Sequence, residues 1–183
     1  MTYPALISPA LPALKPMPAG MTLHHGWSAG LIGWIVKQHG LYYAKHWKLG
    51  AHFEALVANS LGELMLRYNP EKDSLISLRH QGEPVAALTI DGSHDDSAHL
   101  GARLRFVIID EAWQSKGLGG CLMREAMQFL QQKRFSRAYL TTFKGLDAAR
   151  TLYERHHFSL VEEKMDDHWG VPLSEQKFVW LAH

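Results

Sequence analysis

The amino-acid sequence predicts an α/β (α+β) fold, in which helices flank both faces of a central mixed, mostly antiparallel sheet of about six to seven strands. The first observation is the order of its strand-like and helix-like segments, β-α-α-β-β-β-α-β-α-β-β. The second is the run of consecutive apolar positions within residues 103–109, which is typical of a central strand covered on both faces. A helix joins this strand to the next, which requires a parallel pair, whereas the hairpin before it is antiparallel.

The first half of the chain predicts a strand, two helices and a hairpin of two strands, at residues 22–25, 28–40, 51–68, 74–80 and 84–91. We expect Gly40 to end the first helix. The second helix has apolar residues spaced i, i+3, i+4 and i+7, and Asn69-Pro70 stops it. Gln81-Gly82-Glu83 is a hairpin signal between the two strands.

The second half begins with a polar loop and then predicts the elements at residues 103–109 (strand), 118 to about 134 (helix), 137–142 (strand), 146–157 (helix), 158–165 and 176–181 (strands). No internal repeat or linker divides the chain. Five prolines interrupt the apolar N-terminus, so we expect residues 1–21 to form an extended or disordered leader. Residues 22–183 are then one domain.

The composition is that of a globular protein, with 46% apolar residues among 183. Nineteen basic and eighteen acidic residues leave no basic patch, so nucleic acid is not an expected partner. No apolar run approaches the length of a membrane span, and no membrane partner is expected. Cys121 alone excludes an internal disulfide and suits a reducing compartment, so we expect a cytoplasmic protein. The twelve histidines show no metal-ligand spacing, and no metal is expected.

A glycine-rich turn follows the strand at 103–109 and opens a helix. Its backbone amides and the positive end of the helix dipole predict a diphosphate site. The spacing matches neither a P-loop nor a dinucleotide fingerprint, because Leu122 stands where the third glycine of the fingerprint belongs. The residues of this predicted site are Gln114, Ser115, Lys116, Gly117, Leu118, Gly119 and Gly120. An ordinary tight turn with capping glycines is the structural alternative.

This turn resembles the (Arg/Gln)-x-x-Gly-x-(Gly/Ala) motif of the GNAT acetyltransferases, a likeness that extends over roughly residues 22–182. The resemblance implies a GNAT fold, acetyl-CoA as co-substrate with its pyrophosphate at the turn, and transfer of the acetyl group to a primary amine in a ternary complex. It also implies that the exposed strand backbone at Val107, Ile108 and Ile109 pairs with pantetheine and provides an oxyanion donor.

A later segment, Ala149-Arg-Thr-Leu-Tyr-Glu-Arg-His-His-Phe, is similar to the A-x-x-x-Y-x-x-x-G-F region of the family. The resemblance implies that Tyr153 protonates the departing thiolate, whereas its helical spacing alone favours a core aromatic residue. Two positions differ from the family pattern. His157 replaces a glycine, and Phe143-Lys144 replaces an asparagine that contacts the cofactor, so Lys144 is a candidate for that contact.

The segment Gly33-Trp-Ile-Val-Lys-Gln-His-Gly-Leu-Tyr-Tyr, with the helix after it, resembles the acetyltransferase half of proteins that fuse a MarR-type DNA-binding domain to a GNAT domain. We expect only the acetyltransferase half here. Residues 34–47 mix large aromatics with polar tips and predict part of an acceptor pocket, built by Trp34, His39, Tyr42, Tyr43 and Trp47. Coverage of a sheet edge or a homodimer contact is the equally weighted alternative.

The sequence does not identify the general base. His39, His80, Glu111 and Glu163 have suitable side chains, and a water chain without any single required residue is also open. The leading hypothesis is an acetyl-CoA-dependent N-acetyltransferase. A non-catalytic acyl-CoA-binding module is the alternative, and a longer acyl group or an oxygen acceptor is a third option.

Overall fold

The computed structural model describes residues 16–182 of the chain. Its strands are β1 (Met21–His25), β2 (Ser74–His80), β3 (Glu83–Asp91), β4 (Ala102–Ile109), β5 (Arg137–Phe143), β6 (Ser159–Asp166) and β7 (Leu173–Leu181). Its helices are α1 (Leu31–Trp47), α2 (Ala51–Leu66), the short α3 (Ser97–Leu100), α4 (Leu118–Gln132) and α5 (Asp147–Arg155), and one 3-10 turn spans Glu111–Trp113.

The seven strands form one sheet in the order β1-β2-β3-β4-β5-β7-β6. Neighbouring strands are antiparallel except β4 and β5, which are parallel because α4 connects them. The predicted fold class is therefore confirmed. Residues 1–15 of the predicted leader lie outside the described residues, and its last residue, Met21, begins β1.

The parallel pair β4–β5 is joined only at its beginning. Ala102 pairs with Ala138 and Arg103 with Tyr139, and no further residue of β4 is in register with β5. Gly101 fixes this joint, because its φ is 81° and a Cβ there would lie 2.1 Å from the carbonyl oxygen of Arg137. Beyond the joint the two central strands diverge and leave a gap in the middle of the sheet.

One face of the sheet carries α4 and α5 on an aliphatic core. Leu122, Ala126 and Leu130 of α4 are fully buried against Leu88, Ile90 and other side chains of β3 and its neighbours. Phe178 of β7 is also fully buried there. This face supplies the largest hydrophobic cluster among the described residues.

The other face carries α1 and α2, and its core is smaller and more aromatic. Leu31 and Ile35 of α1 pack with Leu61 of α2 on Leu75 and Ala87 of the sheet. A second cluster joins Phe53 of α2 with Phe143 of β5 and half-buried aromatics around them. Charged side chains of β3 and β4 also point to this face.

Some predicted boundaries were wrong. Gly40 does not end α1, which continues to Trp47. Gly40 does not have the positive φ of a helix-ending glycine, and it lies within α1 next to the side chain of Glu54 from α2. The polar loop before β4 contains the short α3, and β7 begins at Leu173 instead of residue 176.

Candidate active site

A cleft opens on the α1–α2 side, where β4 and β5 diverge. It has a volume of about 110 Å³, which is room for several ligand atoms. Its aromatic lining comes from five separate elements and one loop: Tyr43, Phe53, Phe106, Phe143, Tyr153 and Trp169. Its polar lining includes His39, Arg103, Arg105, Thr141 and Glu175. The sheet thus positions a mixed apolar and polar pocket at its own central gap.

The backbone of β4 is irregular beside this cleft. Between the pairs Ala87–Ile108 and Thr89–Arg105 the register with β3 shifts, so β4 has an extra residue there. Phe106 sits in this bulge with a φ of 52°. Val107 lines the cleft, and the side chains of Ile108 and Ile109 pack into opposite cores. Because β4 has no ladder with β5 here, its backbone on that side is free of a strand partner.

Tyr153 extends from α5 into the cleft. Its ring is buried against Phe178, with 6.2 Å between the ring centroids. Tyr153 lines the cleft, and its hydroxyl forms no hydrogen bond with residues 16–182. Burial raises the pKa of Tyr153 well above its ordinary value, so the phenol keeps its proton at neutral pH.

Tyr43 of α1 faces the same space. Burial raises the pKa of Tyr43, and the interaction with Tyr153 adds to this shift. Its ring contacts Phe53 at 4.7 Å and Phe143 at 5.7 Å between centroids. The cleft therefore holds two phenols that stay neutral.

His39 is the base candidate that the structure places at the cleft. The side chain is buried, and its Nδ1–H donates to the carbonyl oxygen of Ile35 at 2.8 Å. Burial lowers the pKa of His39 to about 4, so the ring is neutral at pH 7. With the proton on Nδ1, Nε2 is an acceptor. The ring packs edge-on against Phe106 of the bulge, 6.1 Å between centroids.

The glycine-rich turn lies at the start of α4. Ser115 and Gly117 have φ values of 61° and 87°, and Gly117 is the N-cap residue. Within residues 16–182 the amides of 115–120 donate to no backbone carbonyl, and the first turn of α4 has no acidic side chain. The ammonium of Lys116 lies 4.4 Å from the ring centroid of Trp113, which also contacts His80. Free amides, a helix N-terminus and a nearby ammonium suit a diphosphate.

Residues 34–158 match the model of the acetyltransferase (GNAT) family, which is more than half of the chain. The chain belongs to this family. It is thus an acetyltransferase, and its co-substrate is acetyl-CoA. No curated protein matches the sequence.

Solved structures share the fold of this acetyltransferase at low identity. The yncA protein of Salmonella typhimurium, solved with its cofactor acetyl-CoA, is 15% identical with a TM-score of 0.68, over 88% of this chain and 94% of its own. An acetyltransferase of Streptococcus agalactiae is 14% identical with a TM-score of 0.68, over 89% and 99% of the two chains. Spermidine N-acetyltransferase of Vibrio cholerae, in complex with CoA and spermine, is 14% identical with a TM-score of 0.65, over 90% and 97%.

Gly119 of the acetyltransferase faces its core. A Cβ there would lie 2.9 Å from Cδ2 of Leu152 and 3.5 Å from Cδ1 of Ile109. The sequence explained this glycine by the close approach of an anion, whereas the structure explains it by the contact between α4 and α5. A substitution at Gly119 would therefore disturb packing, and it is not a clean test of ligand binding.

The predicted acceptor residues separate into two groups. His39 and Tyr43 line the cleft. Trp34 and Tyr42 pack in the cluster beneath α1, and Trp47 packs on Phe143, outside the lining. The lining residues that sequence reasoning missed include Phe53, Arg103, Trp169 and Glu175. Arg103 carried a signal, because a charged residue in a central strand needs a partner.

The remaining candidates lie outside the cleft lining. Glu111 binds Lys45 at 2.7 Å and His46 at 2.5 Å, and these hydrogen bonds lower its pKa. Lys144 binds Glu163 at 2.7 Å; that bond and one from Gln176 lower the pKa of Glu163 to about 2. His80 stacks on Trp113, beside the glycine turn.

His157 stands at the family's glycine position and has the left-handed conformation that glycine favours, with a φ of 64°. The turn into β6 is therefore kept without the glycine. Among residues 16–182, no helix is both long and apolar enough to cross a membrane. In the same part of the chain no three His, Cys, Asp or Glu side chains are grouped as a metal site would require.

Proposed function

We propose that the protein transfers the acetyl group of acetyl-CoA directly to a primary amine in a ternary complex. The observation that supports this most is the position of Tyr153, which is buried and lines the gap between β4 and β5, with no hydrogen bond from its hydroxyl to residues 16–182. A phenol at this gap can donate its proton to a departing thiolate.

Acetyl-CoA would lie along this gap. The amides of the turn from Gln114 to Gly120 and the ammonium of Lys116 would hold its diphosphate. The backbone of Val107, Ile108 and Ile109 has no strand partner on its β5 side, and this side would accept pantetheine as a partial strand, since pantetheine carries peptide-like amides. An N–H beside the bulge at Phe106 would point to the thioester oxygen and stabilise negative charge on it, a role worth about 3 kcal/mol in other enzymes.

The reaction needs a neutral amine and a proton for the sulfur. The amine nitrogen forms a bond to the thioester carbon and the C–S bond breaks. The nitrogen loses one proton as it becomes an amide. Tyr153 would donate its proton to the thiolate and be reprotonated from solvent. His39 would accept a hydrogen bond from the amine at Nε2. Its low pKa makes it a weak base, so it orients the amine, and water carries the amine proton away.

The test is Tyr153→Phe, with Tyr43→Phe as the matched control. Both replacements keep the ring and delete one buried hydroxyl in the same cleft. We expect Tyr153→Phe to lower kcat about 100-fold or more, with acetyl-CoA affinity nearly unchanged. Tyr43→Phe should change kcat much less. If both variants keep the wild-type kcat in a thiol-release assay, Tyr153 is a core residue and the proposed proton transfer is wrong.

The diphosphate site is tested by Lys116→Glu, with Lys37→Glu on the exposed side of α1 as the control for charge reversal. Calorimetry should show acetyl-CoA affinity falling about tenfold or more for Lys116→Glu, because a carboxylate would then face the phosphates. Equal affinities for both variants would show that the diphosphate does not bind at this turn.

A non-catalytic acyl-CoA-binding module is the second candidate. One observation favours it, because Lys144 stands at the family's asparagine position and is engaged by Glu163 instead of facing the cleft. Release of free thiol from acetyl-CoA with a panel of amines separates the two functions. The resemblance to the acetyltransferase half of MarR fusion proteins does not favour one of these two functions over the other.

A further inference from the structure

Arg103 occupies the narrow end of the cleft, at the joint between β4 and β5. Its guanidinium donates to Thr141 Oγ1 at 3.2 Å and lies 5.7 Å from the ring centroid of Tyr139. Its Nε is buried and has no hydrogen-bond partner among the described residues. A buried guanidinium N–H without an acceptor is an unsatisfied donor that costs free energy, and a bound anion would supply the missing acceptor.

The charges around Arg103 leave it without a carboxylate. Asp91 binds both Arg67 at 2.7 Å and Arg105 at 3.2 Å. Within residues 16–182 Arg103 forms no ion pair. Burial lowers the pKa of Arg105, and repulsion from Arg103 adds to that shift, so this part of the face carries excess positive charge.

Two lysines share the groove beside Arg103, and each already stands opposite a carboxylate. Lys177 of β7 is in register with Glu162 of β6, and Lys164 of β6 with Glu175 of β7. Opposite charges across a strand pair compensate each other. Arg103 is the cation of this groove whose charge has no carboxylate opposite it on the neighbouring strand.

Arg103 and Glu175 lie at different levels of the sheet. Arg103 is level with Tyr139, where the strands are joined. Glu175 is level with Phe143, and it lines both the groove beside Arg103 and the cleft that Tyr153 lines. Four residues of β5 separate these levels, which is about 13 Å at about 3.3 Å per residue, and an extended arginine side chain shortens the distance a ligand must span.

We propose that the amine acceptor also carries an anionic group, a carboxylate or a phosphate, several bonds from its amine, and that Arg103 binds this group. The statement rests on the proposed function, because the amine end is placed at Tyr153. A planar guanidinium binds carboxylate and phosphate oxygens in pairs, which fixes the direction of the acceptor in the cleft.

The kinetic test compares three acceptors with one chain length: 6-aminohexanoate, 6-aminohexyl phosphate and hexylamine. The wild-type protein should have at least a tenfold higher kcat/KM for one of the anionic acceptors than for hexylamine. The better anion distinguishes a carboxylate site from a phosphate site. Arg103→Gln should bring the ratio near one, because the loss of kcat/KM should be larger for the anionic acceptors than for hexylamine. Arg103→Lys should keep part of the ratio, and Lys177→Gln should keep it all.

A binding test makes this inference independent of turnover. Calorimetry with 6-acetamidohexanoate and with N-hexylacetamide, the two acetylated products, should show tighter binding of the carboxylate by wild type and not by Arg103→Gln. Thermal unfolding of each variant checks that it is folded. Equal acceptor ratios in wild type and folded Arg103→Gln overturn the role of Arg103. If no amine is acetylated but the carboxylate still binds through Arg103, the proposed function fails and the anion site stands.

Discussion

The hydrophobic cores on the two faces of the sheet differ in size and in side-chain composition. Under α4 and α5 one large, mostly aliphatic cluster has Leu88, Leu122 and Leu130 fully buried. Under α1 and α2 there are two smaller clusters, one aliphatic and one aromatic, and a cleft with charged side chains in its lining. Both faces belong to one sheet, so the difference is carried by alternate residues of the same strands.

This contrast separates a face that supports the structure from one that is free to bind ligands. An aliphatic core gains free energy from tight packing and tolerates no gap. The α1–α2 face instead keeps a buried histidine and the unpartnered Nε of Arg103, which cost folding free energy unless a ligand uses them. We therefore expect changes on the first face to affect stability, and changes on the second to affect acceptor use.

The largest effect is expected from Phe178→Ala on the aliphatic face. Phe178 is fully buried, so the loss of its ring leaves a cavity and lowers the free energy of unfolding by about 3–5 kcal/mol. Urea titration followed by circular dichroism measures this change. A loss below about 1 kcal/mol would mean that this face rearranges easily, and the contrast between the two faces would then disappear.

The second prediction concerns His39, whose folded-state pKa of about 4 lies below its ordinary value of 6.5. Folding favours the neutral ring, so its contribution is complete above pH 6.5 and is lost as the pH falls toward 4. Each pKa unit corresponds to about 1.4 kcal/mol, so roughly 3 kcal/mol is at stake. Unfolding titrations from pH 7 to 4 should be markedly flatter for His39→Gln. An identical slope in both proteins would place His39 in contact with water.

A smaller effect on stability is expected from Trp169→Ala on the α1–α2 face. This half-buried ring contacts Phe53 and Phe143 at 5.6 and 5.4 Å between centroids, and each such contact contributes about 0.5–1.5 kcal/mol. The KM for the amine should rise severalfold, whereas the KM for acetyl-CoA should stay the same. Equal increases in both values would assign Trp169 to the scaffold.

The smallest effect is expected from Lys144→Gln at the exposed pair with Glu163. The pKa of Glu163 should rise from about 2 toward its ordinary value, because the main partner of the carboxylate is gone. NMR titration of the side-chain carboxyl measures this shift. Stability should not change measurably, since exposed ion pairs contribute little. A marked loss of acetyl-CoA affinity would instead support the cofactor contact that the sequence predicted.

The aliphatic face was predictable because its signals are local. Apolar spacing and the strand–turn–helix order around Gly117 determine which residues face inward and where a helix begins. The acceptor side was not predictable in the same way. Arg103 and Glu175 lie on different strands, and only the register of β4, β5 and β7 brings them into one cleft. Gly40 was also misread, because the sequence does not show whether a glycine has the positive φ of a helix end.

The contact between Lys116 and Trp113 makes the intrinsic fluorescence of Trp113 a probe of ligand binding at the glycine-rich turn. An indole next to an ammonium fluoresces differently from an indole without one. If a diphosphate draws Lys116 away from the ring, the emission of Trp113 changes as the ligand arrives. Titration of unlabelled protein with coenzyme A can then be followed in a fluorimeter, and Trp113→Phe shows how much of the signal comes from this one side chain.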